Sequence, residues 1–226
     1  MLPARGCDGR VTARYSRSMG HDSRDRALVE IGERIVTGRL PAGVLLDESA
    51  LAVEVGVDAP VVREALCFLQ RDGFVREEDD GSFAVSELDE LELREIYPVA
   101  LLLEGLAVRS TPDYPADAVA RLREINGEME RDGGDAAAAA THDFRFHEEL
   151  VRHCGNEQLL GTLRPLKRRL LRYELAYMAV ERNVDRSVAQ HAEIVDALER
   201  DDREAAALAV EANFRDAMPH LLDSLE

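Results

Sequence analysis

The chain of 226 residues contains no tryptophan, a single lysine and only three cysteines. Aromatic side chains make up 5% of it, so any core must be built mainly from aliphatic residues and alanine. No window strings together the roughly eighteen apolar residues that a membrane-spanning helix needs. The first twenty residues lack the apolar centre of a secretory signal. Cys7, Cys67 and Cys154 are odd in number and far apart, a pattern expected of reduced thiols in a cytoplasmic protein. Lys167 stands alone among arginines, a bias read as that of a GC-rich genome rather than as a functional signal.

What the sequence has in excess is acid, with a formal charge of −17. The imbalance is uneven. Residues 1–26 hold six arginines against three acids, whereas residues 27–86 hold five arginines against twelve acids. The remainder carries 17 basic and 30 acidic residues. Residues 1–26 show no apolar periodicity and are expected to form a flexible basic arm, with Met19 an alternative start.

Residues 27–87 have the pattern of a winged helix-turn-helix. "ALVEIGERIVTG" repeats apolar residues at helical spacing up to Gly38. Asp47 is placed to cap a short helix that Gly56 stops. Asp58 can cap the next helix, with Pro60 in its first turn, where a missing N–H costs nothing. "FVREEDDGSFAV" then alternates around Asp80-Gly81, a hairpin signal.

Residues 88–226 read as an all-helical bundle of about six helices, giving a mostly α chain. Breaks are expected near Thr111-Pro112, Gly133-Gly134, Gly155-Asn156, Asn183 and Asp201-Asp202, with the first helix interrupted at Pro98.

"IVTGRLPAGVLLDESALAVEVGV", "VREAL" and "RDGFV" in the first half, with "DFRFHEELVRHCGNEQLL" and "QHAEIVDALERDDREAAALAVEANF" in the second, carry a resemblance. The chain resembles the GntR transcription regulators, in the FadR-like branch with an FCD domain. The resemblance implies a homodimer whose paired winged heads bind a palindromic operator. It also implies a small carboxylate effector, often with a divalent metal, held in the helical domain.

Where the family's run is G-V-S-R-T-P-V-R-E-A-L, this chain reads GVDAPVVREAL. Asp58 and Ala59 replace a serine and an arginine, Ser49 stands where arginine is common, and Asp80 takes the wing's arginine position. The DNA-binding set that remains is Arg63, Ser49 and Ser82. Duplex affinity comes largely from cations neutralising phosphates, so an acidic helix start and the acids Glu77 to Asp80 should weaken it. Arg10, Arg14, Arg17, Arg24 and Arg26 of the arm could offset that loss in a minor groove.

Asp143 and His147 are four apart and so leave one helix face together. By the resemblance they bind a divalent metal with His191 and a fourth position that falls on Asn213, a weaker ligand. Such a donor set suits zinc, nickel or manganese. A metal-free, hydrogen-bonded polar pocket is the alternative. His220 is too far along its helix to substitute, while His142 and His153 read as surface residues. The arginine that the family places four residues before its "LE" glutamate, here Glu104, is Ala100. Arg168 and Arg172, with Tyr97 and Tyr173, are candidates to bind an effector in its stead.

These readings favour a ligand-responsive regulator. A diverged member acting only through its bundle, as a metal-dependent enzyme or a partner-binding module, is the other reading. No nucleophile, general base or phosphate-cradling loop stands out for it.

Overall fold

The structure is a computed structural model that describes residues 19–36, 38–223 and 225. It divides between Glu87 and Leu88 into two compact units.

The first unit runs α1 (Met19–Val36), β1 (Leu45–Leu46), α2 (Glu48–Val55), α3 (Ala59–Arg71), β2 (Val75–Glu77) and β3 (Phe83–Val85). Ala27, Ile31 and Ile35 place one stripe of α1 against α3, whose Val62, Ala65, Leu66 and Leu69 are buried. Asp47 caps α2 by accepting from the Ser49 and Ala50 amides at 2.8 and 3.0 Å. Asp58 sits at the corresponding position of α3 but makes no side-chain cap, so its charge stands free at the helix start.

Strands β2 and β3 form the expected hairpin, with Arg76 opposite Ala84. Its turn is one residue longer than a two-residue loop. Glu78 N donates to Ser82 O at 2.8 Å, and Gly81 takes φ 81°, the left-handed conformation glycine tolerates best. Strand β1, too short to show a period, adds to β3 and gives the order β1-β3-β2.

The arm needs correction. Residues 19–26 belong to α1 rather than to a flexible segment, because Ala27 and Ile31 dock the helix they begin. Residues 1–18 lie outside the described residues, and with them Arg10, Arg14 and Arg17.

The second unit contains α4 (Glu90–Ser110), α5 (Ala116–Arg131), α6 (Ala136–Val151), α7 (Glu157–Met178), α8 (Glu181–Glu199) and α9 (Arg203–Asp223). Asp89, Asp135 and Asn156 cap α4, α6 and α7 with their side chains. One aliphatic core, with Leu93, Leu122, Met129, Phe146, Leu150, Leu160, Leu163 and Leu170 fully buried, runs through the bundle.

Two breaks differ from expectation. Helix α4 continues through Pro98, whose ring lies on the exposed side, where the carbonyl it leaves unpaired can meet water. The turn between α7 and α8 falls at Ala179-Val180. Asn183 lies inside α8 and closes that turn by donating to Tyr177 O at 3.0 Å. No described helix is long and apolar enough to cross a membrane. Cys154 is buried and free, and Cys7 lies outside the described residues.

Candidate metal centre and nucleic-acid interface

Helical periodicity brings Asp143 and His147 inward from α6, and α8 brings His191 to meet them. All three are buried, and one potential ligand atom from each lies within 4.8 Å of the others. Asp143 Oδ1 is 3.4 Å from His191 Nε2, and its Oδ2 is 3.9 Å from His147 Nε2.

Each histidine is held from behind. His147 Nδ1 bonds a carboxylate oxygen of Glu104 on α4. The other oxygen of Glu104 lies 3.2 Å from Lys167 Nζ on α7. On the opposite side, His191 Nδ1 donates to Asn126 Oδ1 at 3.2 Å. That amide cannot present its nitrogen instead, because Asn126 Nδ2 already donates to Val188 O at 2.9 Å. His191 therefore carries its proton on Nδ1 and turns an Nε2 lone pair towards Asp143, while Phe146 stacks on its ring at 3.8 Å.

His191 Nε2 is buried and has no hydrogen-bond partner among the described residues. A lone pair facing a carboxylate oxygen in a dry interior is repulsive, and a cation or a proton between them removes the cost. Two imidazole nitrogens and a carboxylate are a donor set for a divalent metal, so the residues present fit such an ion. The fourth expected position holds an amide whose nitrogen is engaged. Asn213 is buried on α9, but its Nδ2 donates to Gln190 Oε1 at 2.9 Å, and Gln190 in turn bonds Asp216.

The ionisable groups here shift in opposite directions. Burial works against the charge on Glu104, yet His147 and Lys167 beside it bring its pKa below the usual range. Burial likewise opposes charge on His147, but Glu104 outweighs it and raises the imidazole. His191 has no such partner, and burial with the neighbouring positive charges pushes it well down. Burial raises Asp143. Glu174 on α7 is pushed up to about 8 by burial and by the Asp143 charge.

An acid raised in this way keeps its proton longer in the fold than in the unfolded chain. The fold should therefore lose stability as pH climbs from the ordinary carboxylate range to about 8, and level off above. Glu174 still touches solvent, which tempers the effect. Glu174→Gln is expected to gain about 1–2 kcal/mol relative to the parent between pH 5 and pH 8, read from urea unfolding at both.

The four residues expected to bind an effector do not converge. Tyr97 is buried against Phe214 at 5.1 Å, and burial with the charges of Glu174 and Asp143 pushes its hydroxyl well up, so it faces the same interior. Tyr173 is instead spent on the start of α4, where its hydroxyl bonds Glu92 at 2.6 Å and the Asp89 backbone. Arg172 is buried and its pKa is lowered by burial, while Arg168 is exposed. The cation beside the triad is Lys167, which the sequence marked only by being the sole lysine. Glu104 served there as a landmark, and nothing local pointed to Asn126 or Glu174. His142 is mostly covered, at 12% side-chain exposure, because Asp132 and Glu128 hold it.

In the winged unit two of the three residues expected to meet DNA, Arg63 and Ser82, are engaged by acid. Arg63 pairs with Glu48, donates to Gly81 O at 3.1 Å and lies 3.9 Å from Glu77, tying α3 to α2 and the wing. Ser82 Oγ donates to Asp80 at 2.7 Å. Ser49 is exposed at the start of α2. Arg24 and Arg26, expected on the arm, are held by Asp25, Glu64 and the Gly56 carbonyl. Arg71 lies over the Phe68 ring and has no ion pair among the described residues.

A three-helix head with a wing, joined to an all-helical unit with a buried polar centre, defines a transcription regulator with a separate effector domain. Comparison with known proteins places it more closely. Residues 24–85 match "Bacterial regulatory proteins, gntR family" and residues 95–216 match "FCD domain". The chain belongs to the GntR family of transcriptional regulators, in its FadR-like branch with a C-terminal FCD domain.

It is 31% identical over 193 residues to the "Probable D-xylose utilization operon transcriptional repressor" of Paenarthrobacter nicotinovorans, covering 83% of this chain and 81% of that protein. It is 26% identical over 210 residues to the gluconate operon transcriptional repressor of Bacillus subtilis (strain 168), covering 88% and 84%. Among solved structures, a GntR regulator from Rhodococcus sp. RHA1 shares the fold with a TM-score of 0.76 at 21% identity, covering 89% of this chain and 98% of that one. E. coli McbR/YncC aligns with a TM-score of 0.74 at 18% identity, covering 90% and 99%.

Proposed function

We propose that the chain is a GntR regulator whose FCD unit takes a small oxygen-rich anion together with a divalent metal, and whose paired heads release or grip an operator in response. The observation that carries this reading is the pair of histidines on separate helices, each braced at Nδ1 and turned to Asp143 through Nε2.

Asp143, His147 and His191 would hold the metal, and zinc, nickel or manganese suit that set. A bound ion would supply a Lewis-acidic point for an oxygen ligand. Lys167 and Tyr97 share the interior and would receive the anion's remaining oxygens, replacing the arginine absent at Ala100. A hydroxy acid fits this chemistry, and two relatives are named for the gluconate and galactonate operons.

On the DNA side, Arg63 acts by bracing α3 against the wing, and Ser49 and Ser82 offer neutral donors to phosphates. With few free cations, the contact should be weak and narrow in sequence range. Polarisation titration against the DNA upstream of its own coding sequence tests this. Raising salt from about 50 to about 200 mM should cost about 100-fold in affinity, as four phosphate contacts would give. Asp58→Ser with Ala59→Arg should tighten binding. No binding at the lower salt would leave the bundle as the working part and overturn the regulator reading.

The partner is a second copy of this chain. The outer side of α4 leaves Leu91, Val99, Leu102 and Leu106 exposed, with Leu208 exposed on α9. Such a stripe at helical spacing suits a self-complementary two-fold interface. Leu102→Glu with Leu106→Glu should turn a dimer into a monomer in light scattering at micromolar concentration. A dimer that persists would place the interface elsewhere.

A further inference from the structure

The metal ligands account for only part of this buried cluster. Behind them stand three polar side chains from three other helices: Glu104 on α4, Asn126 on α5 and Lys167 on α7. Glu104 and Lys167 are almost wholly buried, at 0% and 4% side-chain exposure. A lysine and a glutamate taken out of water cost several kcal/mol each, which their mutual attraction repays only in part. A purely structural solution at this place would be two apolar residues.

We infer that Glu104 and Asn126 are positioning residues for the metal centre, and that Lys167 is a counter-charge acting on Glu104 that holds metal affinity down. The inference rests on the proposed metal site, and it assigns roles to residues outside the ligand set.

The geometry divides the roles. An imidazole can bind a metal through one nitrogen only if the other carries the proton. Glu104 fixes that proton on Nδ1 of His147, and Asn126, itself fixed by Val188, does the same for His191. The two Nε2 atoms therefore face Asp143 before any ion arrives, and no ring flip or tautomer exchange is needed. Asn126 is neutral and only orients its ring. Glu104 also lends negative charge, making His147 the stronger donor.

Lys167 draws on the same carboxylate through its other oxygen and places a positive charge near the incoming cation. Its effect on a divalent ion is repulsive, and its effect on Glu104 is to weaken what that carboxylate lends to His147. Glu104 and Lys167 are thus in contact yet should act on metal affinity with opposite sign. A site tuned down in this way releases its ion more readily than one braced by Glu104 alone.

The test is a zinc titration of the full chain, stripped of metal, against a competing chelator. Glu104→Gln and Asn126→Leu should each weaken zinc by about 10- to 100-fold. Lys167→Met should tighten it by about 10-fold. Nitrogen NMR of the histidines before zinc is added, at a pH high enough to leave His147 neutral, supplies a readout that a merely structural role would not move. In Glu104→Gln and Asn126→Leu, His147 and His191 respectively should change from a single Nδ1–H form to a tautomer mixture.

Equal weakening in all three variants, or an unchanged histidine spectrum in the first two, overturns the inference and leaves these residues as packing. If Lys167→Met yields no folded protein, Glu104→Gln and Asn126→Leu decide the outcome through affinity and tautomer together. Zinc binding that is absent from the parent protein would instead sink the metal site itself, which separates the two failures.

Discussion

Alanine in place of His147 or His191 is expected to reduce the metal carried by protein purified without chelators from about one ion per chain to less than about a tenth. The two ligands come from different helices and share a single carboxylate partner, so neither remaining pair closes around an ion. Asn213 could add only a neutral carbonyl oxygen, too weak a donor to replace an imidazole. His220, paired with Asp223 at 3.9 Å near the end of α9, is engaged elsewhere. Elemental analysis of the parent and both variants measures this directly. Metal content unchanged by either substitution would show that the ion, if present, sits elsewhere.

The second large effect concerns stability. Lys167→Leu removes one partner of a buried ion pair and leaves Glu104 with His147 as its sole counter-charge. Breaking such a pair costs about 3–5 kcal/mol, whereas replacing both partners by apolar residues of similar size is often neutral. The double variant Glu104→Leu with Lys167→Leu should therefore recover most of the loss, at the expense of the brace on His147. Urea unfolding of the parent, both single variants and the double variant gives the coupling energy. If the double variant were as unstable as the sum of the singles, the pair would contribute nothing as a pair. The lost stability would then belong to packing around α4 and α7.

These two results bear on how such a centre is kept in a hydrophobic bundle. Phe146 and Phe214 wall the histidines, so every polar group inside must find its partner within the cluster. Glu104, His147 and Lys167 balance one another, and His191 stays neutral with its Nε2 unpartnered among the described residues. That orphaned nitrogen is the strongest local reason to expect a cation there.

In the head the balance has moved the other way. Arg63 pairs with Glu48 and donates to the Gly81 carbonyl, with Glu77 3.9 Å away, so its charge is matched by the protein's own acids. The acids that read from sequence as repelling a duplex also draw arginine side chains away from it. Arg76 is paired with Glu78 at 2.8 Å for the same reason.

The local parts of both units could be read from the sequence. The D-x-x-x-H spacing placed Asp143 and His147 on one face because a helix has a fixed period, and Asp47 announced a helix start because capping is a matter of neighbouring residues. Places where a short stretch has two acceptable outcomes were not legible. Pro98 could break α4 or sit on its wet side, and two residues of β1 show no alternation until β3 lies beside them. The segment 19–26 looked like an arm until Ala27 and Ile31 found α3.

Composition and periodicity by themselves determined that this chain is mostly helical with an excess of acid, because charge balance and apolar repeat are properties of neighbouring residues; the regulator reading came from the motifs that resemble the GntR family. Only the tertiary structure decided that its lone lysine faces Glu104, that Asn126 orients His191, and that Tyr173 serves α4 instead of a ligand. Those contacts join residues tens of positions apart, on helices whose rotation about their axes is set by the whole core. No local pattern encodes that rotation.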